Sequence, residues 1–526
     1  MLDLWIKNAR IVDGSGMPAY RAHVGIRDGR IARIAPVAAE PAARVIDAGG
    51  LTLTPGFIDS HSHDDFMMEN APHCRHKLEQ GVTTDVTGMC GHSVAPLSEE
   101  YYEEGCRVCR ALFPQGVNLD QPTHSSFSVY LSSLRESFGP NIGFLIGHGT
   151  IRAAVMGFAR REPTPAELEK MKACVRDAME AGALGISFGL IYTPGAFCDT
   201  REIIELCKVA AEYGGVMTTH MRNEGVRLVE GVEETLQVVR ETGIRCVISH
   251  HKASGGPKNW GKTALTLPMI EKINQEGCTV FLDQYPYIAT STGLASEIPG
   301  AYLSLPKEEL LALMADPDGR KELIAAMLGK STMEERFGRL MIGASRAYPD
   351  YSGLMVSEAA EKHGKSMADT VLDVLLADEL ASTEIGFGMC EEDVERVLAY
   401  PRTMIGTDGL WYPGTLGAHP RAFASFPRVL GHYVRERGVI SFEEAVRKMT
   451  SMPAAVYGLR GKGLIREGMD ADLCLLDPDV ITDAADFKHW DARCPGLKYV
   501  FVAGEPVVED SVHDGRLLGK KLLRSW

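Results

Sequence analysis

Pro55-Gly-Phe-Ile-Asp-Ser-His61-Ser-His63 is a short apolar run that leads directly into two histidines two positions apart. In an extended chain residues i and i+2 face the same side, so both imidazoles can turn toward one metal ion. The pair alone is equally compatible with two loop histidines, and recurrence is what separates the two readings. Short β-branched runs recur at Val82–Val86, Phe144–Ile146, Leu184–Phe188, Gly215–Thr219, Arg245–Ser249, Thr279–Leu282 and Thr403–Gly406, alternating with helical stretches. With Phe57-Ile58 they make eight candidate strands, the number needed for an α/β fold of the (β/α)8 TIM-like barrel type. Candidate ligands or bases follow these strands: His61 and His63, Cys90, His148, His220, the His250-His251 pair and Asp408. A barrel assembles its active site from the C-terminal ends of different strands in this way.

The helical stretches carry their own signals. Before one of them, Thr164-Pro165-Ala166-Glu167 offers a cap, a proline suited to the first helical position and a capping-box glutamate. Leu168, Met171, Val175 and Met179 then fall on one face. Outside the barrel both termini are strand-rich. Val24–Ile34 reads as a hairpin turning at Asp28-Gly29, and Ala471–Asp477 and Lys498–Val508 as further strands. The expected organisation is a small β-sandwich domain formed by residues 1–56 and 456–526, around a barrel at 57–455. An insertion over the barrel mouth is expected at about 293–365, a segment longer than one helix and its connections.

The chain has 526 residues, 45% of them hydrophobic, enough for a large core. A formal net charge of -15 without a Lys/Arg block argues against a nucleic-acid partner. No apolar stretch approaches the roughly 20 residues that cross a bilayer, and the start Met1-Leu-Asp-Leu-Trp is unlike a signal peptide. A cytoplasmic, non-membrane protein is expected. The 12 cysteines lack the dense spacing of a disulfide scaffold, so reduced thiols are the default for them.

On these motifs the chain resembles the amidohydrolase superfamily, and within it the N-acyl-D-amino-acid deacylase (D-aminoacylase) family, from Ile11-Val-Asp-Gly14 to Gly468-Met-Asp-Ala-Asp-Leu473. Many superfamily members bridge two metals with a fourth-strand lysine, but Ala183–Tyr192 contains none. The family uses a cysteine after the second strand instead, and Gly88-Met-Cys90-Gly-His-Ser matches that motif. A zinc-bound thiolate is chemically sound there. The resemblance implies that Cys90, His220 and His250 hold one tight zinc, while His61, His63 and Asp408 add a weaker second metal site. Alternation turns one of His250 and His251 inward, and the family position selects His250. Asp408 matches the family's catalytic aspartate; on its own, Asp408-Gly409 is equally a turn. Lys252, Tyr285, Ser291 and Arg421 match the positions that bind the substrate α-carboxylate.

The implied reaction is hydrolysis of a linear N-acyl-D-amino acid, with Asp408 taking a proton from the attacking water and delivering it to the leaving amine. Tyr192 is a candidate donor to the oxyanion or else a packing tyrosine. His92 stands where the family carries an aliphatic residue and reads as a loop histidine; His148 reads as structural, and Arg222 and Glu224 as a local pair. The competing readings are a cyclic amidase of the hydantoinase or dihydroorotase type, a deaminase, and a catalytically silent metal-binding scaffold. Ala295–Tyr302 contains no Arg or Lys to hold an acidic side chain, which favours a neutral, hydrophobic amino acid. Stereochemistry rests on the resemblance, and oligomeric state is not legible.

Overall fold

The computed structural model describes residues 1–110, 119, 121–411, 414 and 417–524. Its central feature is a parallel sheet of 8 strands in the chain order of the candidate runs: Phe57–Asp59, Val82–Thr87, Asn141–Gly147, Gly185–Gly189, Val216–His220, Arg245–Ile248, Val280–Gln284 and Thr403–Ile405. The first and last strands meet through the Ser60 N–H, which donates to Ile405 O at 3.2 Å, and through a bridge between Ser62 and Gly409. That seam makes the sheet a barrel. Ile58, Val86, Leu145, Leu184, Val216, Val247, Phe281 and Met404 supply one apolar side chain per strand to a single cluster that fills the interior.

Helices coat the outside for the reasons visible in their sequences. Pro165–Glu180 opens on the capping box between Thr164 and Glu167, and its Met171, Val175 and Met179 are buried, with Leu168 partly so. Nine strands from both termini form one further sheet, joined where Leu473–Leu476 pairs antiparallel with Thr52–Pro55. Its hairpins turn where expected: Asp28 and Gly29 have φ of 52° and 70°, the left-handed geometry a two-residue turn needs. After Val512–His513 the chain leaves this sheet and lies against the barrel, with Phe138 bridged to Gly519 and the Arg524 N–H on Gly182 O.

Between the seventh and eighth barrel strands the chain makes a long excursion. Thr290–Gly293 pairs antiparallel with Thr383–Gly386, which in turn pairs with Leu340–Ala344. The excursion thus reaches back to Thr290 and on to Gly386, because the strand that completes this small sheet comes only after its helices. Leu294, Ile298, Leu310, Phe337, Ile342 and Val371 give it a core of its own.

His148, at the end of the third barrel strand, faces outward into a helix junction. Its Nε2 lies 2.7 Å from Glu202 Oε1, and Arg152 binds the other Glu202 oxygen. Burial would raise the Glu202 carboxyl, but His148 and Arg152 hold it below the usual range. A carboxylate depressed on folding adds stability that is present above its unfolded value and lost as pH falls through the folded one. The thermal midpoint should therefore decline as pH is lowered from about 5 toward 3. Glu202→Gln, which leaves Arg152 buried without a counter-charge, should cost about 3–5 kcal/mol at neutral pH and flatten that decline. An unchanged thermal midpoint in the variant would contradict this role.

Candidate metal centre

The strand-end residues meet at the C-terminal mouth of the barrel. One ligand atom each from His61, Cys90, His250 and Asp408 lies within 4.8 Å of all the others, and every one of these side chains is buried. Cys90 Sγ is 3.3 Å from His61 Nε2 and 3.4 Å from His250 Nε2. His63 Nε2 lies 3.2 Å from Asp408 Oδ1. The His220 ring packs edge-on at 4.4 Å from that of His250, and its Nε2 lies 3.3 Å from Glu224 Oε2. Cys90, His250 and Asp408 all have left-handed φ, 54°, 36° and 48°, a conformation non-glycine residues keep only where their surroundings enforce it.

Outer carboxylates set the imidazoles. Asp283 Oδ1 is 3.1 Å from His61 Nδ1, and Glu224 Oε1 is 3.0 Å from His250 Nδ1. At His61 the carboxylate holds the proton on Nδ1 and leaves the Nε2 lone pair facing the thiol, the arrangement that orients metal-bound histidines, whereas Nδ1 of His250 is shared by Glu224 and the Lys252 ammonium. The donor set therefore fits a divalent cation of zinc type: soft thiolate, imidazoles and a carboxylate converging from separate strands.

The electrostatics agree. Burial would raise the Cys90 thiol, yet His61 and His250 hold it well below its ordinary value. Burial would raise Asp408 too, and Arg421 with His61 holds it well below the carboxylate range. Burial would lower His63 and His220, but Asp408 and Cys90 lift the first to about 8, and Glu224 and Cys90 lift the second to about 9.

The remaining predicted residues surround this cluster on one cavity of about 2120 Å³ between barrel and insertion, lined by Tyr192, Lys252, Tyr285, Ser291 and Arg421 among others. Lys252 Nζ sits 2.7 Å from Glu224 Oε2 and 2.7 Å from His250 Nδ1. Arg421 Nη1 is 3.0 Å from Asp408 Oδ2, its Nη2 donates to Ser291 O at 3.0 Å, and the guanidinium lies 4.5 Å from the Tyr285 ring centroid. The Tyr192 side chain lies beside that of Thr292, and its ring lies 5.0 Å from His220 and 5.1 Å from His92. His92 is thus part of the cavity wall. His251 turns away, its Nε2 2.8 Å from Thr266 Oγ1.

One local pairing is corrected. Arg222 binds Glu234 at 2.9 Å, while Glu224 turns inward to His220, His250 and Lys252. Three buried cationic or imidazole groups outbid one half-exposed guanidinium for the same carboxylate. Sequence reading also passed over Asp283, although it too stands at a barrel-strand end, and Glu297, Arg336 and Glu384, which the insertion brings to the cavity.

The amidohydrolase family model matches residues 44–314 and 386–508. D-aminoacylase of Alcaligenes xylosoxydans xylosoxydans is 38% identical over 528 residues, covering 99% of this chain and 98% of the relative. A solved structure that treats the binuclear metal centre of D-aminoacylase, one metal activating and the second attenuating, superposes with a TM-score of 0.82 at 38% identity over 100% of both chains. The N-acyl-D-glutamate deacylase of Bordetella bronchiseptica, solved with zinc and a phosphonate mimic of the tetrahedral intermediate, superposes with a TM-score of 0.83 at 35% identity over 99% of both.

Raised imidazole values carry a consequence for metal binding. Protons on His61, His63 and His220 compete with a cation, so affinity should rise with pH between about 6 and 9 and binding should release protons. Calorimetric titration of the metal-stripped protein with zinc, in buffers of different ionisation enthalpy, should show net release at neutral pH. Cys90→Ala should lower the metal retained on dialysis; full retention would exclude the thiol as a ligand.

Proposed function

The chain belongs to the amidohydrolase family, in its N-acyl-D-amino-acid deacylase branch, and we propose that it hydrolyses the linear amide of N-acyl-D-amino acids to a carboxylate and a free D-amino acid. The observation that carries this reading is the convergence of His61, Cys90, His250 and Asp408 at the barrel mouth, beside a fourth strand, Gly185–Gly189, that has no lysine. That substitution of thiolate for lysine speaks against a cyclic amidase of the usual kind.

In this reading Cys90, His220 and His250 hold one zinc, and His61, His63 and Asp408 can hold a second, weaker ion. Zinc there would lower the pKa of a water and polarise the acyl carbonyl. Asp408, kept ionised by Arg421, accepts the proton of the attacking water and returns it to the departing amine. Tyr192 stands at the wall beside His220, where its hydroxyl can donate to the developing oxyanion. Lys252 and Arg421 flank the centre from opposite partners, Glu224 and Asp408, and with Tyr285 and Ser291 form the recognition site for the α-carboxylate. Burial of both cations makes their ion pairs strong and their orientation fixed before substrate arrives. No helix among the described residues is long and apolar enough to cross a membrane, and all 12 cysteines are free thiols, which fits the cytoplasmic setting expected of the chain.

Asp408→Asn should reduce kcat on N-acetyl-D-amino acids by about 10²–10⁴-fold with zinc supplied. Unchanged turnover would sink the proton-transfer role. In paired assays of N-acetyl-D- and N-acetyl-L-amino acids the D series should be preferred, and preference for the L series would overturn the substrate assignment.

A further inference from the structure

Glu297, Arg336 and Glu384 are among the charged side chains that the insertion brings to the cavity that also holds His220, His250 and Asp408, and the reaction described above uses none of these three. Arg336 Nε lies 2.7 Å from Glu297 Oε2, so the guanidinium already has its carboxylate. Glu384 is left over. It is 5% exposed, and its Oε2 is fully buried with no hydrogen-bond partner. Burial, and then the neighbouring Glu297, push its carboxyl well above the usual range, against the smaller opposite pull of the Arg336 guanidinium.

Strand register connects this group to the metal centre. Glu384 stands directly opposite Thr292 in the antiparallel pair, which puts the two side chains on one face with Cβ atoms about 5 Å apart. The Thr292 side chain lies beside Tyr192, and the Tyr192 ring lies 5.0 Å from His220. Tyr192, Thr292 and Glu384 therefore form a continuous wall leading away from the reaction centre. Lys252 and Arg421 take the α-carboxylate, which leaves this wall to the amino-acid side chain. Ile298 and Leu340 line the same cavity and suit an aliphatic stem. A buried carboxyl without a partner is costly and is relieved by a donor or a cation brought by the ligand.

Resting on the deacylase reading, we propose that Glu384 is a specificity-determining residue that selects N-acyl-D-amino acids whose side chain ends in an ammonium or guanidinium group. An acidic side chain is disfavoured, because Glu297 already neutralises the nearby guanidinium. The neutral preference inferred from Ala295–Tyr302 overlooked Glu384, which arrives from a strand more than eighty positions downstream.

The test compares kcat/KM of the zinc-loaded enzyme for N-acetyl-D-lysine, N-acetyl-D-norleucine and N-acetyl-D-glutamate. The lysine-to-norleucine ratio should exceed about tenfold in the unmodified enzyme and fall by about tenfold or more in Glu384→Gln. A wild-type preference for norleucine or glutamate overturns the inference without recourse to the variant. So does a ratio that Glu384→Gln leaves unchanged. Hydrolysis of norleucine with no lysine preference defeats this inference alone, whereas no hydrolysis of any of the three defeats the deacylase reading as well.

Discussion

The seam between the first and eighth barrel strands is held by one buried carboxylate. Asp59 Oδ1 accepts from the backbone N–H groups of His61 at 3.1 Å and Thr407 at 2.8 Å, and Oδ2 accepts from Lys77 Nζ at 2.6 Å and from Thr407 Oγ1 at 2.6 Å. Its two oxygens thus grip His61 itself and Thr407, the residue immediately before Asp408, on opposite sides of the closure. A bond from the Asp408 N–H to His61 O at 2.9 Å completes the contact. Because His61, His63 and Asp408 lie across this seam, the candidate metal centre forms only where the barrel closes. Lys77 is itself buried, and Asp59, Asp64 and Asp85 stabilise its charge against the penalty of burial.

Above that seam the site is organised by charge. Opposite charges are packed so closely there that Cys90, Asp408 and Glu224 are held down while His61, His63 and His220 are held up. A cation bound among them would replace the protons that now balance the cluster, which is why metal binding and proton release are coupled. The outer carboxylates Asp283 and Glu224 act through Nδ1 of His61 and His250, so their contribution is orientation as well as charge. Left-handed φ at Cys90, His250 and Asp408 adds local strain that the hydrogen-bonded frame sustains.

The barrel supplies chemistry and the excursion from Thr290 to Gly386 supplies the far wall of the cavity. This division suits a family in which one amide-cleaving centre serves different amino acids. The family model leaves residues 315–385 unmatched, within this excursion. Variation there changes side chains on the cavity wall without disturbing the barrel strands that carry the candidate ligands.

By itself the sequence determined the residue types at the strand ends, the order of the eight barrel strands, the hairpin at Asp28-Gly29 and the helix cap at Thr164, since each depends on local periodicity or a few neighbouring residues. Membership of Cys90 in the buried cluster was legible because the fourth strand lacks a lysine and the motif around the thiol matches the family. Partner choice was not legible. Glu224 is two residues from Arg222 yet binds His220, His250 and Lys252, and Asp283 reaches His61 across 222 positions. Periodicity tells which side of its own strand a residue faces, whereas these contacts depend on which strand closes against which. Glu384 shows the same limit: only the pairing of Thr290–Gly293 with Thr383–Gly386 brings its carboxyl beside Thr292 and into the cavity wall.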